Sequence, residues 1–433
     1  MREMKDSGIA WIGAMPRAWK MNTIAQIFLQ VKCKNNGLQE KNLLSLSYGK
    51  VKRKSIDTVE GLLPESFDGY NIIEKDDIVL RLTDLQNDHT SLRVGLAEER
   101  GIITSAYLTI RNRSNFCPKY LYYYLHSFDI AKGFYGMGAG VRQGLNWDGV
   151  KWLKILAPSV PEQERIAAFL DAECAEIDAI LEKTRASIEE YKKLKQAVIT
   201  QAVTKGIRGD RPMKNSDIEW IGEIPAEWDV VRQKYFWNTV ESGVSVNAAD
   251  KPVDNSEQYG VLKTSAVSKF VFIPTEHKQV NLEEYGRVSC PVRADSIIAS
   301  RMNTPELVGA CGYVQNNYHN LFLPDRLWQI TFKDGLSPKY AWYYLSGIRV
   351  RQYISSLSTG TSSSMQNISQ SQYGNIFITI PSIGEQSEIT KYLDEKCRSV
   401  DALVTKKQQY LTEIENYKKS LIYEYVTGKK EVV

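Results

Sequence analysis

No stretch of the 433 residues approaches eighteen consecutive apolar positions, so no helix is expected to cross a bilayer. The first residues, MREMKDSG, lack the apolar core of a secretory signal, and a cytoplasmic location is expected. Cysteine is scarce. The six residues lie far apart with no Cys-x-x-Cys pair, which argues against a zinc ribbon or a disulfide framework and fits a reducing compartment. The histidines His89, His126, His277 and His319 form no ligand-spaced pair, so no metal site is expected. Net charge is only +4, a weak sign of an anionic partner. Catalytic signatures are missing as well. There is no Gly-x-x-x-x-Gly-Lys-Ser/Thr phosphate loop and no Gly-x-Gly-x-x-Gly following a strand. There is also no Asn/Asp-Pro-Pro-Tyr segment of the kind amino-methyltransferases use. The chain is expected to be non-catalytic and to hold no cofactor.

What the sequence does have is itself, twice. "DSGIAWIGAMPRAW" from Asp6 returns as "NSDIEWIGEIPAEW" from Asn215. "PKYLYYYL" from Pro118 returns as "PKYAWYYL" from Pro338, and "ILAPSVPEQERIAAFLD" from Ile155 as "ITIPSIGEQSEITKYLD" from Ile378. From Pro158 to Thr204 the second copy runs without a gap at a constant offset of 223, whereas the opening segments are offset by 209. The difference must be absorbed by insertions inside a variable part of each copy. Internal repetition of this kind means two half-molecules, each a mixed domain followed by a helix.

Each helical part opens on Ser-x-x-Glu, Ser159 to Glu162 and Ser382 to Glu385. In a capping box the Ser oxygen takes a free backbone N–H and the Glu reaches back to the cap. Each ends near a glycine, Gly206 or Gly428, a common left-handed stop. The intervening ~45 residues make roughly 65 to 70 Å of helix. Apolar positions recur in threes and fours. The first helix shows Leu170, Cys174, Ile177, Leu181, Thr184, Ile188 and Tyr191; the second shows Leu393, Cys397, Val400, Val404, Lys407, Leu411 and Ile414. That is a heptad seam. Helix one ends where the second variable domain begins, and helix two begins where that domain ends. The two should therefore run antiparallel, with Cys174 and Cys397 too far apart for a disulfide. Each "WIG..P..W" segment should seat a domain against a helix end through its Trp pair.

The variable parts, residues 21–155 and 230–378, carry short β-rich runs such as "DDIVLRL", "AYLTIRN", "DSIIAS" and "LWQITF". The fold class expected is α+β: two pseudo-symmetric α+β domains separated by a pair of long antiparallel coiled-coil helices. The expected boundaries are 1–158, 159–206, 207–381, 382–428 and a tail at 429–433.

This layout resembles the specificity subunit of type I restriction–modification systems. The likeness rests on the twin "WIG..P..W" segments, the "PEQERIAAFLD" and "GEQSEITKYLD" helix starts and the "AVTKG" and "YVTGKK" helix ends. The strands leading to Arg81 and Arg301 and "LSLSYGKVKRKS" from Leu44 add to it. It covers essentially the whole chain. The resemblance implies that each variable domain is a target recognition domain reading half of a split double-stranded DNA sequence. It implies that the helical pair sets the gap, and that modification subunits (two of them) dock on the helices and methylate adenine with S-adenosylmethionine. Restriction subunits then join to translocate and cut DNA.

Residue chemistry agrees with such a role. Phosphates are held by Lys, Arg, hydroxyls and amides, while bases are read by forked or paired donors, Arg on guanine and Asn or Gln on adenine. The first domain offers Lys50, Lys52 and Arg53 in "YGKVKRKS", Arg81 and Thr83 in "RLTDLQND", and Arg142, Gln143 and Asn146 in "GAGVRQGLN". The second offers Lys263 and Thr264, Arg301 and Asn303, and Ser362, Ser363 and Gln366. Because the two domains differ, the target is expected to be asymmetric. The alternative is a coiled-coil scaffold with two protein-binding domains and no direct DNA reading.

Overall fold

The computed structural model describes residues 2–55, 66–137, 144–362 and 365–432. The chain forms two compact units, Met1–Arg185 with Gln408–Val433, and Ala186–Lys407. The division falls inside both long helices, Val160–Lys205 and Ile383–Val426, because each half-helix packs with its own domain.

Unit 1 is built on a four-stranded antiparallel sheet in the order Phe28–Gln30, Leu108–Asn112, Ile78–Leu80, Val94–Leu96. Unit 2 repeats that order with Trp237–Ser242, Leu327–Phe332, Ser296–Ser300 and Cys311–Val314. The strands Ile78–Leu80 and Ser296–Ser300 are buried along their whole length, IVL in one unit and SIIAS, an apolar centre between two buried serines, in the other. What differs is the periphery. Unit 1 adds two-stranded sheets, Leu44–Ser47 with Lys50–Arg53 and Asn71–Ile73 with Gly101–Ile103. Unit 2 adds a five-stranded sheet around Gly260–Leu262, with one parallel pairing to Tyr318–Phe322. This is where the unequal offsets are absorbed.

An aromatic helix covers each sheet, Pro118–Ile130 in unit 1 and Pro338–Ser346 in unit 2, each with proline in its first turn. Their tyrosines explain the repeated "PKY" run. Tyr120 Oη donates to the Leu156 and Val426 carbonyls at 3.0 and 3.3 Å. Its twin Tyr340 bonds the Val203 carbonyl at 3.2 Å and the Thr379 hydroxyl at 2.7 Å. Tyr123 and Tyr343 donate to Asp171 and Asp394 of the long helices, each at 2.8 Å. A buried hydroxyl needs a partner, and these partners lie at matched positions of the two copies.

Within each unit the helix segments run antiparallel. In unit 1 Lys418 reaches Asp178 at 2.6 Å and Arg185 reaches Glu415 at 2.6 Å. In unit 2 Lys195 reaches Asp401 at 2.7 Å and Arg208 reaches Glu388 at 2.7 Å. Of the seam positions, Leu170, Cys174, Ile177, Leu181, Ile188, Leu393 and Cys397 are buried, while Tyr191, Val400, Val404, Leu411 and Ile414 are half-buried. Both cysteines are free, and burial raises their thiol pKa values.

The capping-box expectation needs correcting. Ser382 Oγ does accept the Glu385 N–H, at 3.3 Å. The glutamates, however, turn away from the cap. Glu385 Oε2 accepts the Trp228 indole N–H at 2.9 Å, and Glu162 Oε2 accepts that of Trp19 at 3.1 Å. Arg211 pairs with Glu385 at 2.6 Å and Arg2 with Glu162 at 2.5 Å, each guanidinium also lying over its tryptophan. A buried indole N–H has greater need of an acceptor than a cap already served by its own turn. Gly206 and Gly428 close the helices at φ +75° and +73°, and a Cβ there would stand 3.2 Å from Trp228 and 2.9 Å from Trp19. The second tryptophan of each "WIG..P..W" segment thus locks a helix start to a helix end within its unit. The first, Trp11 or Trp220, packs edge-on or stacked against tyrosines.

Candidate nucleic-acid interface

In unit 1 three loops meet above the sheet. The loop 81–92 connects Ile78–Leu80 to Val94–Leu96. It lies against the segment entering the short helix Trp147–Val150, where the Leu145 N–H donates to the Leu82 carbonyl at 2.8 Å. The turn of the Leu44–Ser47/Lys50–Arg53 hairpin closes beside them. Gly49, at φ +75°, lies so near Leu92 that a Cβ would fall 3.0 Å from Leu92 Cβ. Tyr48 at the same turn is 84% exposed.

Under the loop sits Arg93, with no exposed surface. Nε donates to Tyr135 Oη at 3.0 Å, Nη1 to the carbonyls of Arg81 and Thr83 at 3.0 and 2.8 Å, and Nη2 to those of Asp84 and Asp88. Tyr135 Oη also donates to the Asp88 carbonyl at 3.1 Å, and its ring stacks on His89. The backbone N–H of Ser91 holds the Asp88 carboxyl well below the usual range.

Unit 2 reaches a similar gathering by another route. Met302–Asn303 pairs antiparallel with Met365–Asn367, placing Asn303 directly opposite Gln366, so both side chains share a face. The Ile368 N–H donates to the Arg301 carbonyl at 3.0 Å. Beneath lies Arg351, on the helix Ile348–Leu357 and buried. Its Nη2 donates to the Glu306 and Val308 carbonyls at 3.2 and 2.6 Å. Its guanidinium covers Phe270 at 4.9 Å, which brings in the turn that carries Lys263 and Thr264.

The described positions named from sequence fall on or beside the hairpin strand Lys50–Arg53, the loop 81–92, and in unit 2 the turn Thr264–Val267 and the paired strands Met302–Asn303 and Met365–Asn367, with differing occupations. Lys50, Lys52 and Arg53 are exposed on the hairpin, but Arg53 is paired with Glu99, and Lys50 stands 3.8 Å from Asp178. Arg81 is half-buried, 3.5 Å from Asp88, and Thr83 is exposed. Asn146 serves the fold locally, since its Oδ1 caps the helix Trp147–Val150 by accepting the Gly149 N–H at 3.1 Å. Lys263 is 3.7 Å from Asp250. Thr264, Arg301, Asn303 and Gln366 are half-buried. Arg142, Gln143 and Ser363 lie outside the described residues, and Ser362 is described only as backbone of the strand Thr359–Ser362. Sequence reasoning missed Arg93, Tyr135, Arg351 and Phe270. One signal was available for Arg93: a cation heading the strand-like run "RVGLA" needs internal acceptors.

Asp129 lies beneath the same loop. Its Oδ2 accepts the Arg93 backbone N–H at 2.6 Å, and burial pushes its pKa up to about 6 against the opposing pull of Lys132 and Arg93. The folded unit then holds this proton to higher pH than the unfolded chain does. Asp129 therefore adds stability as pH falls from about 6 toward about 4, and its charge is a cost above that window. Buried His126, held down to about 4, contributes the opposite slope. Asp129→Asn is expected to remove only the Asp129 component and to stabilise unit 1 at pH 7.5 by about 1–3 kcal/mol. Denaturant unfolding of both proteins at pH 5 and 7.5 checks this; identical pH slopes would refute it.

Two units of one build, each gathering different polar loops on the same sheet, define a two-headed recognition protein. Among the described residues no cluster of three His, Cys, Asp or Glu could hold a metal ion, and no helix is long and apolar enough to cross a membrane. Residues 225–415 match the family described as the type I restriction modification DNA specificity domain. Across 97% of this chain and 96% of its own, a protein of Methanocaldococcus jannaschii, assigned to the type I restriction enzyme MjaX as its specificity subunit, is 25% identical. The EcoEI specificity subunit of Escherichia coli is 25% identical over 48% of this chain and 36% of its own. A solved chain from a type I R-M system shares the fold, with a TM-score of 0.68 at 16% identity over 96% of this chain and 99% of that one. The chain is similar along its length to specificity subunits of type I restriction–modification systems, and its matched region is a DNA specificity domain. These likenesses do not favour the scaffold alternative.

Proposed function

We propose that each unit reads one half of a split, asymmetric DNA target, and that the long helices fix the interval between the halves and dock two modification subunits. Methyl transfer from S-adenosylmethionine belongs to those partners, and restriction subunits join the same assembly to translocate and cut. The observation that carries this reading is the pairing of one scaffold with two unlike sets of loops. The four-stranded sheets, aromatic helices and tryptophan locks are duplicated. The loops 81–92 and 301–309 differ in length, sequence and the arginine beneath them. Duplicated framing with divergent tips suits two readers of different bases. The proposed contacts are Lys50, Lys52, Arg53, Arg81, Thr83, Arg142, Gln143, Lys263, Thr264, Arg301, Asn303, Ser362, Ser363 and Gln366, with Asn303 and Gln366 as the adenine-type pair.

The test is selection from random duplex DNA by this chain assembled with its modification subunits. Two short fixed blocks of different sequence, separated by unread positions, are expected. Affinity should fall steeply with salt, because a chain of net charge +4 leaves much of the phosphate contact to its partners. A single continuous block, a palindrome or no selection would overturn the proposal.

A further inference from the structure

We infer that Arg93 and Arg351 are positioning residues for specificity: each is an internal clamp that shapes the reading loop of its unit by binding backbone carbonyls. This rests on the reading of the units as DNA readers.

An exposed loop of a dozen residues has many conformations, and base readout requires one. Loop side chains supply local turns, such as Asp88 Oδ1 accepting the Ser91 N–H at 2.9 Å, and any side chain used to tie the loop as a whole would be taken from the DNA. In unit 1 the restraint comes from below. Arg93 presents five N–H donors in a rigid plane, and all five have acceptors: the Tyr135 hydroxyl and the carbonyls of Arg81, Thr83, Asp84 and Asp88. Four of these belong to the loop, and none is a side-chain carboxylate. The guanidinium thus adds a polar hold beside the buried Leu82 and Leu85, leaving Thr83, Gln86, Asn87 and His89 exposed above it. Tyr135 donates to the Asp88 carbonyl as well, so that carbonyl is held by both members of the node.

Unit 2 has no arginine at the corresponding place in its sheet. It brings one from a helix instead. Arg351 holds the Glu306 and Val308 carbonyls with Nη2 and rests on Phe270, while Nε and Nη1 meet no hydrogen-bond partner among the described residues. Gly309, at φ +67°, turns the backbone directly after the Val308 carbonyl, where a Cβ would fall 2.7 Å from Ile354 on the same helix as Arg351. The same device reached from two different elements points to a shared need of the loop, not to inheritance of one residue. The unit 2 clamp grips fewer carbonyls, so its loss should matter less.

The experiment selects random duplexes with full-length variants assembled with modification subunits, scoring each half-site separately. The half-sites are assigned to units by exchange of residues 230–378. Arg93→Met is expected to lower base discrimination in the unit 1 half by roughly tenfold or more while the unit 2 half keeps its sequence. Arg351→Met should do the reverse with a smaller loss. Arg93→Lys keeps the charge without the five-donor fork and should behave like Arg93→Met. Should Arg93→Met fail to fold, Tyr135→Phe, which deletes one hydroxyl of the node, decides the matter by a weaker loss confined to the same half. Folded variants with wild-type discrimination in both halves, an Arg93→Lys protein equal to wild type, or equal losses in both halves would each overturn the inference. If the wild-type assembly selects no split target, the failure lies with the proposed function and not with the clamps.

Discussion

Replacing residues 230–378 with the matching segment of another specificity subunit is expected to change one half of the DNA target completely and leave the other unaltered. The reason is visible in how the segment joins the rest of unit 2. Its two ends lie side by side as one antiparallel ladder, Asp229–Arg232 against Phe377–Ile380, with Asp229 opposite Ile380 and Arg232 opposite Phe377. Both junctions therefore fall in a single small sheet, and a donor of any internal topology can enter and leave at the same place. The tryptophan lock at Trp228, Arg211 and Glu385 lies outside the exchanged residues. The donor must keep the Lys339, Tyr340 and Tyr343 pattern, since these reach Asp394 and the Val203 carbonyl of the retained helices. Each wrong base pair in a half-site costs about 1–3 kcal/mol, so several changed positions abolish recognition of the original half. Methylation mapping before and after exchange reads the result. A change in both halves, or in neither, would show that the units do not read independently.

The second large effect concerns stability. Glu385→Ala is expected to destabilise unit 2 by about 2–4 kcal/mol, because it strands a buried indole N–H and leaves the Arg211 guanidinium only the exposed Glu227 and the Lys205 carbonyl. The Glu385 side chain is 4% exposed and that of Arg211 10%. The twin change Glu162→Ala should cost clearly less, about 1–2 kcal/mol, since Glu162 and Arg2 are 16% and 20% exposed and water can replace part of the loss. Thermal unfolding of the two variants checks both size and order. Equal shifts, or a larger shift for Glu162→Ala, would show that the difference in burial does not govern the locks.

The repeat in the chain carried the architecture. Recurring "WIG..P..W", "PKY" and "EQ" segments could be paired by eye, and the structure gives each a duplicated contact. Gln163 and Gln386 are fully buried, and their side-chain oxygens accept the N–H groups of Cys117 and Ser337 at 3.0 and 2.8 Å, at the starts of the aromatic helices. Helix periodicity was legible because a long helix shows its apolar stripe locally, residue after residue. The role of Glu162 and Glu385 was not. Ser-x-x-Glu looks like a local cap, and the partner that draws the carboxylate away lies 143 residues distant in one unit and 157 in the other.

The loops divide in the same way. Their composition marked them as polar, basic and rich in turn residues, and composition is a property of the sequence alone. Which of them meet was decided by strand pairing: Asn303 faces Gln366 only because Met302–Asn303 and Met365–Asn367 lie in register. The residues that shape them, Arg93 and Arg351, carry no motif, because a backbone carbonyl has no identity that a sequence can display. The sequence by itself determined that this protein is two copies of one plan joined to long antiparallel helices, since repetition and periodicity are encoded locally. Only the tertiary structure decided which side chains face outward and which are spent inward as clamps and locks. That choice depends on acceptors brought close by folding from distant parts of the chain.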